Sequence, residues 1–309
     1  MERREFLKNV VAAGALVGSV GMLPQSLLPV AHAGDNDELL KGIIDTHIHT
    51  NPDVRVRRLS DIALAKEAKR VGAAAIVIKS HVVPTMDRAS VAEEAVPGVR
   101  VFGGLTLNPP VGGFNKEAVG IALRMGAKVI WLPTSYSAND MRHQGKSGGL
   151  EAVVDGQVVP ALVEIFKLMA KADVILGTGH LSAYDCRVVV EEAKKQGIQK
   201  IIVNHPEWTT VNMPIDDQKS LSQYGVFFER CYARNVGGKY QTNFKINLLA
   251  IDKVGYDTTI IATDGGQTEN PMWSAALGEY LRFLLDAGVA KQTLDMMTKY
   301  YPAKLLGLA

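Results

Sequence analysis

The sequence predicts an α/β protein folded as a (β/α)8 barrel with closing helices at its C-terminus. Three observations favour this fold. Eight short runs rich in β-branched residues recur along the chain, amphipathic segments separate many of them, and 309 residues leave room for one barrel of ~250 residues after an N-terminal leader. A doubly wound open sheet shows the same alternation, but the count of eight favours the closed form, the TIM barrel.

The predicted elements alternate in chain order. The strands are expected at residues 42–49, 73–81, 99–108, 127–135, 173–182, 200–207, 225–232 and 258–266. The helices between them are expected at 59–72, 115–126, 161–172, 183–197 and 217–225, and several end in Gly just before the next strand, as a helix C-cap does. Residues 270–308 are expected to form two or three amphipathic helices that close the barrel.

The first 33 residues differ from the rest and are predicted to be a signal peptide cleaved after Ala33, which leaves residues 34–309 as a single domain. Basic "MERREFLKNV" is followed by apolar "VAAGALVGSVGML" and then by "AHA". The apolar stretch is shorter than the ~20 residues of a membrane-spanning helix, so no stable membrane anchor is expected. The pair Arg3–Arg4 followed by "EFLK" resembles a twin-arginine export signal, with Glu2 where that signal usually has Ser or Thr.

That resemblance implies a periplasmic or otherwise exported protein, with the twin-arginine export machinery as a partner and a cofactor inserted before export. The formal net charge is only +2, from 34 basic and 32 acidic residues, and this excludes an obvious nucleic-acid partner. Cys186 and Cys231 could form a disulfide in an exported protein, but their ordinary contexts favour two buried free thiols.

Histidines gather at the predicted strand ends. In "GIIDTHIHTNPD", His47 and His49 alternate along the first strand and therefore share one face. Five of the seven histidines end a strand, and Asp264 ends the eighth. The other three of these histidines are His81, His180 and His205, on the second, fifth and sixth strands. Because the C-terminal ends of barrel strands meet at one rim, these side chains are expected to lie together there.

Imidazole and carboxylate groups in such a cluster are suitable ligands for a divalent metal, with Zn²⁺ as the expected ion and one or two ions accommodated. A bound ion lowers the pKa of its water and supplies hydroxide as a nucleophile. Asp264 could both coordinate the ion and accept the proton of that water.

Four motifs together resemble the amidohydrolase superfamily of metal-dependent barrel hydrolases, over the whole mature chain. They are "DTHIH", "TGHLS", "VNHPE" and "ATDGG". The resemblance implies that His47, His49 and Asp264 bind the first metal and that Asp264 is also the catalytic base. It implies that His180 and His205 bind a second metal or, in one-metal members, act as a ligand and a carbonyl-polarising group.

The sequence departs from the two-metal pattern on the fourth strand, where "VIWLPTS" lacks the carboxylated Lys or Glu that often bridges the metals. Lys79, on the second strand, is the nearest substitute. It could be carboxylated and bind metal, remain cationic and act on the substrate, or lie at the surface.

Other polar residues near the strand ends are candidates for contacts with a substrate. His81 shares a face with Lys79, and Arg55, followed by Arg57 and Arg58, could bind a carboxylate or phosphate or simply belong to a solvated loop. Glu229 ends the seventh strand beside Arg230, and one of the two is expected to face the site. Residues 108–115 and 135–159 are expected to be active-site loops or plain surface excursions.

These expectations combine into an exported metal-dependent hydrolase in which metal-bound hydroxide attacks the carbonyl of an amide, lactam, lactone or ester. The ion and His205 or Lys79 would stabilise the oxyanion. A metal-dependent decarboxylase of the same superfamily is the alternative within enzymes, and a non-catalytic periplasmic binding or metal-storage protein is the alternative outside them. The small-molecule substrate and the oligomeric state, a homo-oligomer included, stay open.

Overall fold

The structure is a computed structural model that describes residues 33–236 and 239–308. The predicted signal peptide therefore lies outside the described residues, except for Ala33. Within the described part of the chain, no helix has the length and apolar character needed to cross a membrane.

Thirteen strands occur along the described chain, and all eight predicted strands are confirmed. In order they are β1 Ile44–His49, β2 Ala75–Lys79, β3 Arg100–Phe102, β4 Gly104–Thr106, β5 Val129–Trp131, β6 Val153–Val154, β7 Gln157–Val158, β8 Ile175–Gly177, β9 Ile201–Asn204, β10 Phe227–Cys231, β11 Ala233–Val236, β12 Lys239–Thr242 and β13 Thr259–Ala262. Two small antiparallel hairpins, β6–β7 and β11–β12, lie outside the barrel and were not predicted.

The remaining strands are all parallel and form one ring. One sheet has the order β1-β2-β3 and the other has the order β13-β10-β9-β8-β5-β4. The strands β3 and β4 are two halves of the predicted third strand, interrupted at Gly103, so the first half pairs with β2 and the second with β5. On the other side, the His49 amide donates to Gly265 O at 2.8 Å and joins the end of β1 to the residues after β13. The predicted TIM-barrel fold is confirmed.

Helices cover the outside of the ring and include all five of the predicted inter-strand helices. In order they are α1 Ala33–Leu40, α2 Asp61–Arg70, α3 Met86–Ala95, α4 Lys116–Arg124, α5 Ala138–His143, α6 Pro160–Ala172, α7 Ala183–Lys195, α8 Ile215–Ser222, α9 Phe244–Val254, α10 Trp273–Asp286, α11 Lys291–Asp295 and α12 Tyr301–Leu306. The last three helices, with a π-helical turn at Met296–Tyr300, confirm the predicted helical C-terminus. Helices α1, α3, α5 and α9 lie in segments for which no helix was predicted.

The barrel interior contains its own apolar layer below the polar rim. Inward side chains from the strands, among them Val77, Trp131 and Ile175, pack with Leu305 and Leu306 of α12. The C-terminal helix therefore closes one end of the barrel and leaves the other end for polar groups. Removing this apolar surface from water contributes roughly 25 cal/mol per Å² to folding.

Candidate active site

A β-bulge in β1 determines where its histidines point. Asp45 pairs with Ile76 but Ile48 pairs with Ile78, so β1 has one residue more than β2 over this stretch. An extra residue reverses the alternation of side chains that follow it. As a result, Ile44 packs in the barrel interior while Ile48 packs in the outer core between strands and helices. His47 and His49 share the opposite face from Ile48, as predicted.

Three buried ligand atoms converge at the rim of the barrel. His47 Nε2 lies 3.0 Å and His49 Nε2 lies 3.1 Å from the same oxygen, Asp264 Oδ1. All three residues are buried, and together they form a group that could hold a metal ion. Asp264 has a φ of 47°, an unfavourable backbone conformation for a residue other than Gly, which marks a position where function can outweigh local stability.

Close approach of the segment after β13 to the end of β1 keeps this group compact. A Cβ atom at Gly266, which has a φ of 106°, would overlap the backbone oxygen of His49. Asp45 accepts hydrogen bonds from Thr263 Oγ1 at 2.7 Å and from Trp273 Nε1 at 2.8 Å, and it thereby ties β1 to β13 and α10. Glycine at 266 and the buried Asp45 therefore place His49 beside Asp264.

Glu229 lies beneath His47 and is not among the described residues that line the cavity, so its predicted contact with a substrate is wrong. Its carboxylate accepts from Thr46 Oγ1 at 2.6 Å and Asn204 Nδ2 at 2.7 Å, and it lies 2.8 Å from His47 Nδ1. A proton on Nδ1 that donates to Glu229 leaves the Nε2 lone pair directed at the metal group. The placement gives Glu229 the position of a group that orients His47. Arg230, its neighbour, points away and pairs with Glu207.

Lys79 is fully buried next to the metal-ligand group formed by His47, His49 and Asp264. Its Nζ lies 3.1 Å from His47 Nε2 and 5.1 Å from the centroid of the Trp131 ring. The strand pairing places it opposite His49, on the inward face. Burial lowers the pKa of Lys79, although the carboxylates of Asp264 and Glu229 oppose that effect. Of the three alternatives predicted for Lys79, the surface position is therefore wrong.

His81, His180 and His205 complete a continuous group of imidazoles. The ring of His81 stacks on His49 with centroids 4.7 Å apart, and the ring of His180 lies 5.0 Å from His205. His205, with a φ of 30°, has no hydrogen-bond partner at either ring nitrogen among the described residues, although both nitrogens are buried. Trp208 covers His205 at a centroid distance of 4.9 Å. The orphaned nitrogens of His205 are available to a ligand.

The protonation of these groups also suits a metal site. Burial lowers the pKa of His49 to about 3 and lowers the pKa of His205 well below its usual range, so both rings are neutral near pH 7. Burial also opposes protonation of His47, but the neighbouring carboxylates, chiefly Asp264, outweigh it and raise the pKa of His47 to about 9. The carboxylates thus stabilise a positive charge at His47, and a bound divalent ion would take the place of the proton on its Nε2. Neutral imidazoles with a carboxylate are then the donor set that Zn²⁺ prefers. The residues present fit a divalent metal.

A second possible grouping around His47 is a poor metal site. Cys231 Sγ and the Glu229 carboxylate also lie within ligand distance of His47. However, burial raises the pKa of Cys231 well above its usual range, so the sulfur stays a thiol, and metals bind the thiolate. Cys231 and Cys186 are both free and buried, as the sequence predicted.

A cavity of about 510 Å³ opens directly above the metal-ligand group, within the range of small-molecule sites. His49, His81, His180 and Asp264 form part of its floor. Its walls include Ser135, Asp140, His143 and Gln144 from the loop predicted at residues 135–159, and Arg55, Arg57 and Tyr240 from two other segments. A larger groove of about 890 Å³ lies beside the start of β3 and has no histidine among its described lining residues.

Several cavity residues were not predicted from the sequence. Asp140 Oδ2 lies 3.4 Å from His180 Nδ1, Thr134 Oγ1 lies 2.7 Å from His81 Nδ1, and Tyr240 comes from the β11–β12 hairpin. Asp140 lies on the short helix α5 and Tyr240 on strand β12, and neither element was predicted from the sequence. Trp208 follows His205 by three residues in "HPEW", and this spacing in a tight turn is the one signal that could have indicated it.

Several solved structures have a similar fold. An amidohydrolase from Pseudomonas aeruginosa superposes with a TM-score of 0.57 at 12% identity, over 89% of this chain and 98% of that one. The dipeptidase AC, a metallopeptidase, gives 0.61 at 10% identity over 86% and 98%. An enamidase described as a member of the amidohydrolase superfamily gives 0.56 at 14% identity over 87% and 69%. This chain therefore has the barrel fold of that superfamily, and identities this low show the fold alone.

The sequence itself places the chain in a narrower group. It belongs to DUF6282, a family of unknown function whose sequence model matches residues 42–229. No curated protein matches it.

Proposed function

We propose that this protein is a metal-dependent hydrolase of the amidohydrolase type that cleaves an amide, lactam, lactone or ester bond in a small molecule. One observation carries the proposal. The Nε2 atoms of His47 and His49 both lie within 3.1 Å of Asp264 Oδ1, at the rim of the barrel and under a cavity of about 510 Å³. Active sites of TIM-barrel enzymes are found at this rim.

The metal would be held by His47, His49 and Asp264, with the rings of His205 and His180 next to them as further candidate ligands. Zinc is proposed because the donors are neutral imidazole and carboxylate. When bound, a divalent ion lowers the pKa of a water molecule and polarises a carbonyl oxygen.

The protein groups around that position have complementary roles. Asp264 is placed to accept a proton from the attacking water and pass it to the leaving group. Glu229 holds the tautomer and orientation of His47. His205 can donate a ring N–H to the developing oxyanion, and Lys79 is placed to bind metal in a carboxylated form or to stabilise negative charge as a cation. Trp208, stacked on His205, limits access of water to that ring.

Metal content and turnover test the proposal together. Mature protein would be analysed by plasma mass spectrometry and assayed on a panel of esters, lactones and amides, with CO₂ release followed in parallel. We expect at least one equivalent of metal and hydrolysis that Asp264→Asn abolishes, while Asp286→Asn, on the outer helix α10, retains it. Metal without any turnover favours a binding or metal-storage protein, and CO₂ release favours a decarboxylase. Absence of metal contradicts the hydrolase and the decarboxylase and leaves a binding protein.

Lys79→Met decides the state of the lysine in the same measurement. If metal falls from two equivalents to one or none, Lys79 is a carboxylated ligand. If one equivalent is retained and turnover falls, Lys79 acts on the substrate as a cation.

We also propose that the protein is exported through the twin-arginine machinery. The proposal depends on Arg3 and Arg4 before an apolar segment. Replacing both with Lys should leave the precursor unprocessed in the cytoplasm, as measured by cell fractionation. Export that continues unchanged would exclude this route.

A further inference from the structure

Three arginines follow β1 within four positions, and the structure gives them different surroundings. Arg57 is only 5% exposed and lines the cavity above the metal-ligand group. Arg55 is exposed and lines both that cavity and a smaller one of about 230 Å³ beside it. Arg58 points elsewhere and donates to Thr268 O. The three residues therefore form a natural comparison within one loop.

Arg57 is held rigidly in the cavity wall. Asn51 Oδ1 accepts from the Arg57 amide at 3.2 Å, and Asn51 Nδ2 donates to Arg57 O at 2.8 Å. The Arg57 Nε donates to Asp53 Oδ2 at 2.8 Å. The amide that follows, on Arg58, donates to Gly266 O at 2.9 Å, which links this loop to the segment after Asp264. The guanidinium is thus fixed relative to the metal ligands before any ligand binds, which reduces the entropy lost on binding.

The outer edge of this guanidinium lacks a partner. Arg57 Nη2 is buried and has no hydrogen bond within the described part of the chain. A buried donor on a charged group is costly to leave unpaired, so such an exception points to a missing acceptor. Since Asp53 takes only Nε, the terminal edge with its two N–H groups is left for a planar anion that accepts two parallel hydrogen bonds.

The local charge indicates which anion fits. Asp53, Arg55 and Arg57 together leave a single positive charge, which a carboxylate balances and a phosphate dianion exceeds. Tyr240, in the same cavity wall, adds a neutral donor. Burial and the Asp264 carboxylate raise the pKa of Tyr240 to about 12, even though Arg55 and Arg57 oppose this, so its hydroxyl keeps its proton.

We propose that Arg57, assisted by Arg55 and Tyr240, binds a carboxylate of the substrate that is not itself attacked. The substrate class is then an acidic amide or ester, such as an N-acyl amino acid or the half-ester of a dicarboxylic acid. This inference rests on the proposed hydrolase function, because it assigns the attacked carbonyl to the metal-ligand group and the second, charged group to the arginine wall.

Binding of non-hydrolysable ketones tests the anion site without turnover. The metal-loaded protein would be titrated calorimetrically with levulinate and its longer keto-acid homologues, with the neutral keto-alcohol of each chain length, and with the matching ketophosphonate. We expect the best keto acid to bind roughly 10- to 100-fold more tightly than its alcohol, as the loss of hydrogen bonds to a charged group implies. The ketophosphonate is expected to bind more weakly than the keto acid.

Variants within the loop then locate the site. Arg57→Gln should remove most of the preference for the keto acid, and Arg55→Gln should reduce it several-fold. Arg58→Gln removes the same charge from the same loop and should leave it unchanged. If Arg57→Gln unfolds, the keto-acid preference of Arg55→Gln still tests the site, because Arg55 is exposed and its replacement should leave the fold intact. Equal binding of acid and alcohol, equal losses in the Arg55 and Arg58 variants, or tighter binding of the phosphonate would overturn the proposal.

Rates of ester hydrolysis and binding of keto acids together distinguish an error in the carboxylate site from an error in the hydrolase function. If neutral and acidic esters are hydrolysed at equal rates and Arg55→Gln has no effect, the result supports the hydrolase function and contradicts the carboxylate site. If keto acids bind selectively but no ester or amide is hydrolysed, the result supports the carboxylate site and contradicts the hydrolase function.

Discussion

Replacing Glu229 with Gln is expected to weaken metal binding while preserving the fold. The carboxylate accepts three buried hydrogen bonds, two of them at Oε2, from Asn204 at 2.7 Å and from His47 at 2.8 Å. A Gln oxygen can occupy the Oε2 position and keep both. Its amide group would then face Thr46, whose hydroxyl can rotate to accept but then no longer donates to residue 229. This loss of one neutral hydrogen bond costs about 1 kcal/mol of stability, while the main change at His47 is the loss of one negative charge behind it.

The size of the effect follows from that charge. A hydrogen bond to a charged group contributes about 1 kcal/mol more than one between neutral groups, which corresponds to about fivefold in affinity. Loss of groups that orient a metal-binding histidine typically costs 10- to 100-fold. Glu229→Gln should therefore lower Zn²⁺ affinity by roughly 10- to 100-fold. The same carboxylate also favours a proton on His47, so the deficit should widen as the pH rises towards the pKa of His47.

Competition with a chromogenic chelator measures this affinity, and thermal unfolding of the metal-free protein checks the fold. Glu93→Gln is the matched control, because Glu93 is partly buried and accepts hydrogen bonds from Arg100 Nε and Val101 N, beside the start of β3. It should bind zinc as the wild type does. Wild-type affinity in Glu229→Gln, or the same loss in both variants, would refute the orienting role of Glu229.

Three further predictions concern stability and the metal. Gly266→Ala should destabilise the protein by about 1–3 kcal/mol and weaken metal binding, because its Cβ would overlap His49 O; denaturant unfolding that matches the wild type would contradict this. Leu305→Ala should cost about 2–5 kcal/mol by opening a void at the closed end of the barrel, with metal affinity unchanged, as chemical denaturation and chelator competition would show. Chelation should lower the melting temperature, since metal at 100 times its Kd adds about 2.7 kcal/mol of stability; an unchanged melting temperature would argue against a metal site.

Much of the fold and of the rim could be predicted because both depend on local patterns. Short β-branched runs and amphipathic segments identify strands and helices, and the order of the strands in a barrel follows their order in the chain. Since parallel strands end at one rim, the histidines that end strands had to meet there, along with Asp264. Helices α1, α3, α5 and α9 were missed, as were the hairpins β6–β7 and β11–β12; α3, with its weak amphipathic pattern, and the two-residue strands of β6–β7 carry little periodic signal.

The role of Glu229 shows where this reasoning stopped. Its position at a strand end predicted proximity to the site, and the structure places it 2.8 Å from His47 Nδ1. Whether it faces the cavity or supports a ligand from below depends on the depth at which each strand ends. The depth of a strand end is set by the stagger of neighbouring strands. Stagger is a property of strand pairing and cannot be predicted from the sequence of a single strand.

The sequence by itself determined the number and order of the strands, the common rim and the residue types available to bind a metal, because these follow from periodicity and chain direction. Only the tertiary structure decided which atoms converge. The bulge in β1 turned His47 and His49 inward, the approach of Gly266 placed Asp264 against them, and the pairing of Asp53 with one side of Arg57 left its other edge open to the cavity. Each of these depends on contacts between segments far apart in the chain or on an irregular backbone, and no local pattern encodes them.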